Sequence, residues 1–439
     1  MSSLLFSPGG ASLALFGIFF ALLVLRVPVA VALGLACLPM LVLEPHLSVM
    51  VLAQETFNAY NSFILLAVPF FLLTANLMNV GGITDRLVRL ARALVGWMPG
   101  SLAQVNVVLS VFFAGISGSS TADAASQGKL FIHAQIKEGY HTSFAVAITA
   151  VSSVMAVIIP PSILMIVWGG VLTTSIGALF LAGIIPGLLI ALVQMATVHA
   201  YATMRGYPTY AASTMREFFV AIFVAIPALM TPVIIIGGKI FGWFTATESA
   251  CIAVLYAGTL SVFVYRQMNL KGLYTALLDT GRLAGAALFC VGTASAFGWL
   301  MAFYQIPNAI LGGVSAWEMG PIATGFFIAA VFLVVGCFLD AIPAIIIVGT
   351  ILQPLAKSAG LDPVHFAMIG IVSLAFGLVT PPYGLCLMIS CSIAGVRLGE
   401  VLRDTMIMLM PMFGVLMLVI MWPQVTLFIP SLISPEFLK

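Results

Sequence analysis

The sequence predicts an all-α polytopic membrane protein folded as an inverted repeat, each half giving five spans and one re-entrant hairpin. Three observations carry that prediction. The 439-residue chain is 62% hydrophobic and 7% charged, with a mean hydropathy of +1.20, whereas soluble domains carry roughly 25% charge. Apolar runs long enough to cross a bilayer recur from end to end. Two of these runs are interrupted in the same way. Gly115 opens Gly-Ile-Ser-Gly-Ser-Ser-Thr and Gly336 opens Gly-Cys-Phe-Leu-Asp-Ala-Ile-Pro. A proline pair follows each after the same interval: Pro160-Pro161 (160 − 115 = 45) and Pro381-Pro382 (381 − 336 = 45). A broken helix frees amides and carbonyls that hydrocarbon cannot satisfy. Breaks in corresponding places of two halves therefore point to a binding site at the repeat interface.

Taken in order, the apolar runs give ten spans at about 6–25, 28–43, 61–80, 142–173, 177–203, 218–238, 244–265, 282–303, 363–395 and 404–427. The first carries no Lys or Arg before Arg26, so it reads as a retained span and not a cleavable signal. The hairpins fall at about 101–138 and 320–358, preceded by short amphipathic segments near 82–97 and 305–318. Placing both termini outside puts thirteen of the sixteen basic residues on the cytoplasmic side, leaving Lys239, Lys357 and Lys439 outside. Arg86, Arg89 and Arg92 recur every third residue on one helical face, which sets 82–97 at the inner interface. Residues 305–318 hold no basic residue and are expected at the outer one. The two hairpins thus enter from opposite sides. An offset of 221 lays Gly115 on Gly336, Gly139 on Gly360, Ser152 on Ser373 and the proline pairs on each other. The first elements of each half align poorly.

Composition also excludes function classes. A net charge of +2 with no basic tail or aromatic-basic pattern gives nothing for nucleic acid to bind. The six cysteines form no CxxC pair and read as buried reduced thiols. Five scattered histidines make no metal constellation. No GxxxxGK[ST] loop is present for ATP. Asp123 and Asp340, the intramembrane acids, have no nearby histidine to complete an acid–base pair, so an enzyme is not expected and no organic cofactor is called for.

The residues that could carry chemistry sit at the breaks. In the first hairpin tip, Gly115–Thr121, glycine permits a tight turn and close backbone approach. Its serine oxygens can bind a cation or a carboxylate, and the helix that follows presents amides to an anion. Asp123 and Asp340 either stabilise a cation or cap a helix. Pro160-Pro161-Ser162 and Thr380-Pro381-Pro382 break their spans, because proline lacks the amide and clashes with the preceding turn. The freed carbonyls, with Thr380 or hairpin oxygens, could coordinate sodium. Glu248 reads as a helix-start carboxylate, and Asn76 and Gln194 as interhelical contacts.

The run Phe113-Ala114-Gly115-Ile116-Ser117-Gly118-Ser119-Ser120-Thr121-Ala122-Asp123 resembles the signature of the large membrane subunit of tripartite ATP-independent periplasmic (TRAP) transporters. Ile158-Ile159-Pro160-Pro161-Ser162-Ile163, Ala182-Gly183-Ile184-Ile185-Pro186-Gly187, Thr247-Glu248 and Thr380-Pro381-Pro382 fit the same pattern, over nearly the whole chain. The resemblance implies a bacterial inner-membrane permease that takes up small organic acids on a sodium gradient. It would work with a small four-span membrane subunit and a periplasmic solute-binding protein. With no four-helix segment ahead of residue 6, the small subunit is expected as a separate polypeptide. The resemblance also implies an elevator movement, in which 101–203 and 320–439 carry substrate past scaffold segments 1–100 and 204–319. On this reading sodium is held by Gly115, Ser117, Ser119, Pro160, Gly336, Thr380 and Pro381. The substrate carboxylate meets Ser117, Gly118, Ser119, Ser120, Asp340, Pro161, Ser162 and Pro382. A stand-alone sodium–dicarboxylate symporter of related architecture is the alternative.

Overall fold

The computed structural model describes residues 7–25, 27–314 and 319–438. Arg26, Lys439 and residues 315–318 of the expected outer segment lie outside the described residues. No strand occurs among those described. A backbone shielded from water satisfies its polar groups most simply as helix.

The first half begins with α1 (Pro8–Val24), α2 (Val29–Leu43), α3 (Met50–Tyr60), α4 (Ala67–Val80) and the amphipathic α5 (Ile83–Val95). The first hairpin is α6 (Ser101–Ser117) and α7 (Ser120–Gln127), continued through a π turn into α8 (His133–Lys137). The broken span is α9 (Thr142–Ser153) and α10 (Ile163–Leu172), followed by α11 (Ile176–Arg205). The second half has α12 (Met215–Ile240), α13 (Ala246–Thr259), α14 (Leu270–Phe303) and the short α15 (Ile306–Val314). Its hairpin is α16 (Pro321–Phe338), α17 (Ala341–Ala344) and α18 (Thr350–Ser358). Its broken span is α19 (Pro363–Gly377) and α20 (Leu385–Ala394), followed by α21 (Leu398–Met421) and α22 (Gln424–Ile433).

The repeat is visible in the helix starts. From α6 to α16 the offset is 321 − 101 = 220, and from α7 to α17 it is 341 − 120 = 221. From α9 to α19 it is 363 − 142 = 221, from α10 to α20 385 − 163 = 222, and from α11 to α21 398 − 176 = 222. α5 leaves α4 at a 76° bend. It buries Ile83, Leu87, Leu90 and Ala91, one helical stripe, against α6 and α12. Arg86 and Arg92, on the same arm, lie over the rings of Tyr265 (3.7 Å) and Tyr210 (4.1 Å).

Three element expectations are corrected. α3 falls between expected spans, where Gln54, Glu55 and Asn58 interrupt the apolar run; it packs on α14 through contacts such as Thr56 Oγ1 to the Gly292 carbonyl, 3.4 Å. α14 starts at 270 and not 282, capped by Asn269, whose Oδ1 accepts from the Gly272 amide at 2.7 Å. The last expected span, 404–427, is two helices parted at Trp422 and Pro423. Among the described residues seven helices are long and apolar enough to cross a membrane, or eight if the bent α4–α5 pair is one span. The broken spans fall short of that length because the prolines divide them.

Two sets of helices pack internally. α14 lies against α2, α3 and α4, and α13 against α4 and α12. α9 lies against α20 and α21, α11 against α6, α21 and α22, and α16 against α19. The halves also interlock: α20 packs on α7 of the first hairpin, and α10 on the π turn and α17 of the second. Trp168 of α10 is fully buried against Phe332 and Phe366, while Trp97 and Trp422 are exposed.

Candidate functional site

Each hairpin tip is tied to the proline break of its own half. α6 ends because Gly118 turns left-handed, φ +60°. A Cβ there would lie 2.9 Å from the Pro161 oxygen and 3.0 Å from the Ile163 nitrogen. Only glycine lets tip and break come this close, and the Ile163 amide donates to the Gly118 carbonyl at 3.2 Å. In the second half the Gly384 amide donates to the Cys337 carbonyl at 3.3 Å, and 163 + 221 = 384. Behind that contact Gly336 and Gly377 pack backbone to backbone. A Cβ on Gly377 would lie 2.7 Å from the Gly336 Cα. Both proline pairs contain a cis peptide bond.

Some carbonyls freed by the breaks are taken up locally. Ser162 donates to the Val157 carbonyl at 2.7 Å while accepting from the Met165 amide at 3.4 Å. Thr380 donates to the Phe376 carbonyl at 2.7 Å. The Leu378 carbonyl accepts from the Cys386 amide at 3.0 Å. Among the described residues no hydrogen bond reaches the carbonyl oxygens of Pro160, Pro161 or Pro381. Such hard oxygens suit a hard cation.

At the first tip, Ser117 donates to Asp123 Oδ1 at 2.5 Å and accepts from the Ser119 amide at 3.4 Å. Ser119 caps α7 by accepting from the Ala122 amide at 3.4 Å. Among the described residues the buried Ser120 hydroxyl has no hydrogen-bond partner. At the second tip, Asp340 caps α17 by accepting from the Ala341 amide at 2.8 Å.

A cavity of about 300 Å³ opens between these elements. Gly118, Ser119 and Ser120 line it from the first tip, Asp340 from the second, and Val157 and Leu378 from before the two breaks. The opposite wall is Val68 and Leu72 of α4 with Leu283, Ala287 and Cys290 of α14. Of the expected substrate residues, Gly118, Ser119, Ser120 and Asp340 therefore meet at one space. Ser117, Pro161 and Ser162 stand in the layer behind it, and Pro382 is exposed outside the lining. Of the expected sodium residues, the Pro160 oxygen lies 4.0 Å from where a Gly115 Cβ would sit, while Thr380 and Pro381 belong to the second break and Gly336 to the end of α16. Glu248 closes a capping box with Thr245 (2.7 Å to its amide). Asn76 reaches Thr280 across helices at 2.8 Å.

The sequence reading missed a buried polar chain inside the first hairpin. From Ser117 and Asp123 it runs to Gln127 (3.5 Å), then Ser110 (2.8 Å). Ser110 also donates to the Asn106 carbonyl (3.0 Å), and the Asn106 amide reaches Thr149 of α9 (2.8 Å). The signal was there: 106 and 110, like 123 and 127, are one helical turn apart. The positions 221 residues on are Phe327, Val331, Phe338, Ala344, Val348 and Gly370, which carry no polar side chain.

The profile of the family described as "Tripartite ATP-independent periplasmic transporter, DctM component" matches residues 16–425. The chain is 38% identical to the YgiK protein of Salmonella typhimurium, over 97% of this chain and 98% of that one. It is 37% identical to SiaM, the large permease protein of the sialic acid TRAP transporter of Vibrio cholerae, over 95% and 98%. It is 35% identical to DctM, the large permease protein of the C4-dicarboxylate TRAP transporter of Pseudomonas aeruginosa, over 91% and 94%. Among solved structures, the YdaH transporter of Alcanivorax borkumensis has a similar fold, with TM-score 0.56 at 14% identity over 85% of this chain and 87% of that one.

Proposed function

Because the chain belongs to the DctM component family of tripartite ATP-independent periplasmic transporters, we propose that this multi-pass inner-membrane permease takes up small organic acids with sodium, by an elevator movement. Its relatives are permeases and not enzymes, and the family pairs such a subunit with a small membrane subunit and a periplasmic binding protein. The names of SiaM and DctM, for sialic acid and C4-dicarboxylates, support a carboxylate as the substrate class here. A separate four-span partner belongs to the same reading.

The observation that carries the proposal is the cavity shared by two symmetry-related tips and an apolar wall from α4 and α14. Among the described residues no Lys or Arg lines it. A substrate carboxylate there would meet the Ser119 and Ser120 hydroxyls and the amides opening α7 and α10. The Pro160 and Pro161 carbonyls with Ser117 and Ser119 at the first break, and the Pro381 carbonyl with Thr380 at the second, are oxygen sets suited to sodium, whose charge would offset the carboxylate. Asp340 changes role in this account. When ionised its carboxylate only accepts hydrogen bonds, and in that form it would favour the cation and repel the substrate. In the proposed elevator, α6–α11 and α16–α22 move against α1–α5 and α12–α15.

The test is uptake of labelled organic acids into proteoliposomes holding this chain and its small partner, under a sodium gradient, with and without the binding protein. Uptake that needs both is expected. Uptake needing sodium but no binding protein would replace this reading with the stand-alone symporter. Uptake indifferent to sodium would remove the coupling ion.

A further inference from the structure

A second, larger chamber of about 870 Å³ adjoins the candidate site. Thr121, Ala122 and Leu283 line both, so the two spaces are neighbours that meet at these three residues. Their chemistry differs. The first has no basic residue, whereas Lys129 and Arg282 line the second. Asp279 is the acid that faces them, leaving one net positive charge (2 − 1 = +1). Arg282 touches Asp279 loosely, 3.7 Å with side chains 71% and 51% exposed. Lys129 forms no ion pair among the described residues. Asn76, Asn79, Thr84 and Ser126 add amide and hydroxyl groups to the walls.

We propose that this chamber is a staging site for a carboxylate, held between Lys129 and Arg282 on its way out of the candidate site. The inference rests on the transport reading above. A carboxylate leaving the inner cavity passes Thr121 and Ala122 and meets its first cationic side chains here. A concave space with low-dielectric walls concentrates the field of the few charges that line it. Lys129 stands on the first hairpin and Arg282 on α14, elements that the elevator moves relative to each other. The pair therefore faces one chamber only at one end of the stroke. The positive-inside rule makes that end cytoplasmic, so the site favours release over recapture from outside.

The charge of the chamber can be read without transport. Ser126→Cys places a thiol on its wall. Its modification rate is measured with a methanethiosulfonate bearing a sulfonate and with one bearing a trimethylammonium, after subtracting the rate of the wild-type thiols. Adding Lys129→Gln and Arg282→Gln is expected to lower the anion-to-cation rate ratio about tenfold or more, and added salt is expected to lower the ratio only in the charged protein. Lys129→Arg with Arg282→Lys should keep the ratio. A ratio unmoved by neutralisation overturns the proposal. Should the double variant not fold, Lys129→Gln alone serves, since that side chain is exposed. Sodium-driven uptake measured in parallel separates the two readings. Its absence in the wild type would sink the transport account, while the reagent ratio would still report on the chamber.

Discussion

Gly118→Ala tests whether the first tip must touch its proline break. The left-handed φ of +60° costs a non-glycine residue about 1–2 kcal/mol. That cost alone would be tolerated. The added Cβ, however, would stand 2.9 Å from the Pro161 oxygen, against 3.4 Å for ordinary contact, with the Ile163 nitrogen at 3.0 Å. These are backbone atoms, so tip and break must part by 3.4 − 2.9 = 0.5 Å. Functional sites work within about 0.5 Å of their productive geometry, so the separation reaches that limit. Gly139→Ala is the control: φ is +89°, but no atom lies within 4 Å of its Cβ. Both variants should lose a similar amount of thermal stability from the dihedral. Only Gly118→Ala should raise the half-saturating sodium concentration in proteoliposome uptake, by roughly tenfold for 1.4 kcal/mol of lost binding. Wild-type sodium dependence in Gly118→Ala would refute the reasoning, because the tip–break contact would then have no part in the site.

Three further outcomes follow from the hydrogen bonds. Ser162→Ala strips the Val157 carbonyl and the Met165 amide of a buried partner and should cost about 1–3 kcal/mol, read as a lower melting temperature in detergent. Asp123→Ala leaves the Ser117 hydroxyl proton without its acceptor and should also destabilise by about 1–3 kcal/mol, whereas Asp123→Asn keeps an acceptor and should cost less; equal losses would deny Asp123 its place in the chain. Ser117→Ala with Ser119→Ala should weaken sodium-dependent uptake while the protein still assembles with its small partner, and unchanged sodium dependence would move the cation elsewhere.

The hairpins and breaks were legible because their signals are backbone signals. Glycine and proline act locally, and the starts of α6, α7, α9, α10 and α11 recur 220 to 222 residues later. α3 was not legible, because its stability comes from packing on α14 and not from its own apolar content. The same reason hid half of the cavity. Val68, Leu72 and Leu283 look like any other lipid-facing residue until the fold turns them toward Ser119 and Asp340. The buried polar chain was hidden differently. Asn106 and Ser110 stand one turn apart in α6, and only α9 arriving with Thr149 shows that they belong to one row.

That row exists in one half only. If two chemically identical halves related by inversion exchanged shapes as a carrier turned from one face of the membrane to the other, its two end states would be mirror solutions of equal energy. Here the first hairpin is braced by amides and hydroxyls from Asp123 to Thr149, and the second by glycine backbones and aliphatic side chains. One element resists bending through directional bonds and the other through close packing. On the proposed transport reading the degeneracy is thereby lifted by the chain itself, and an empty carrier built this way would have a preferred resting face before any ion or substrate arrives.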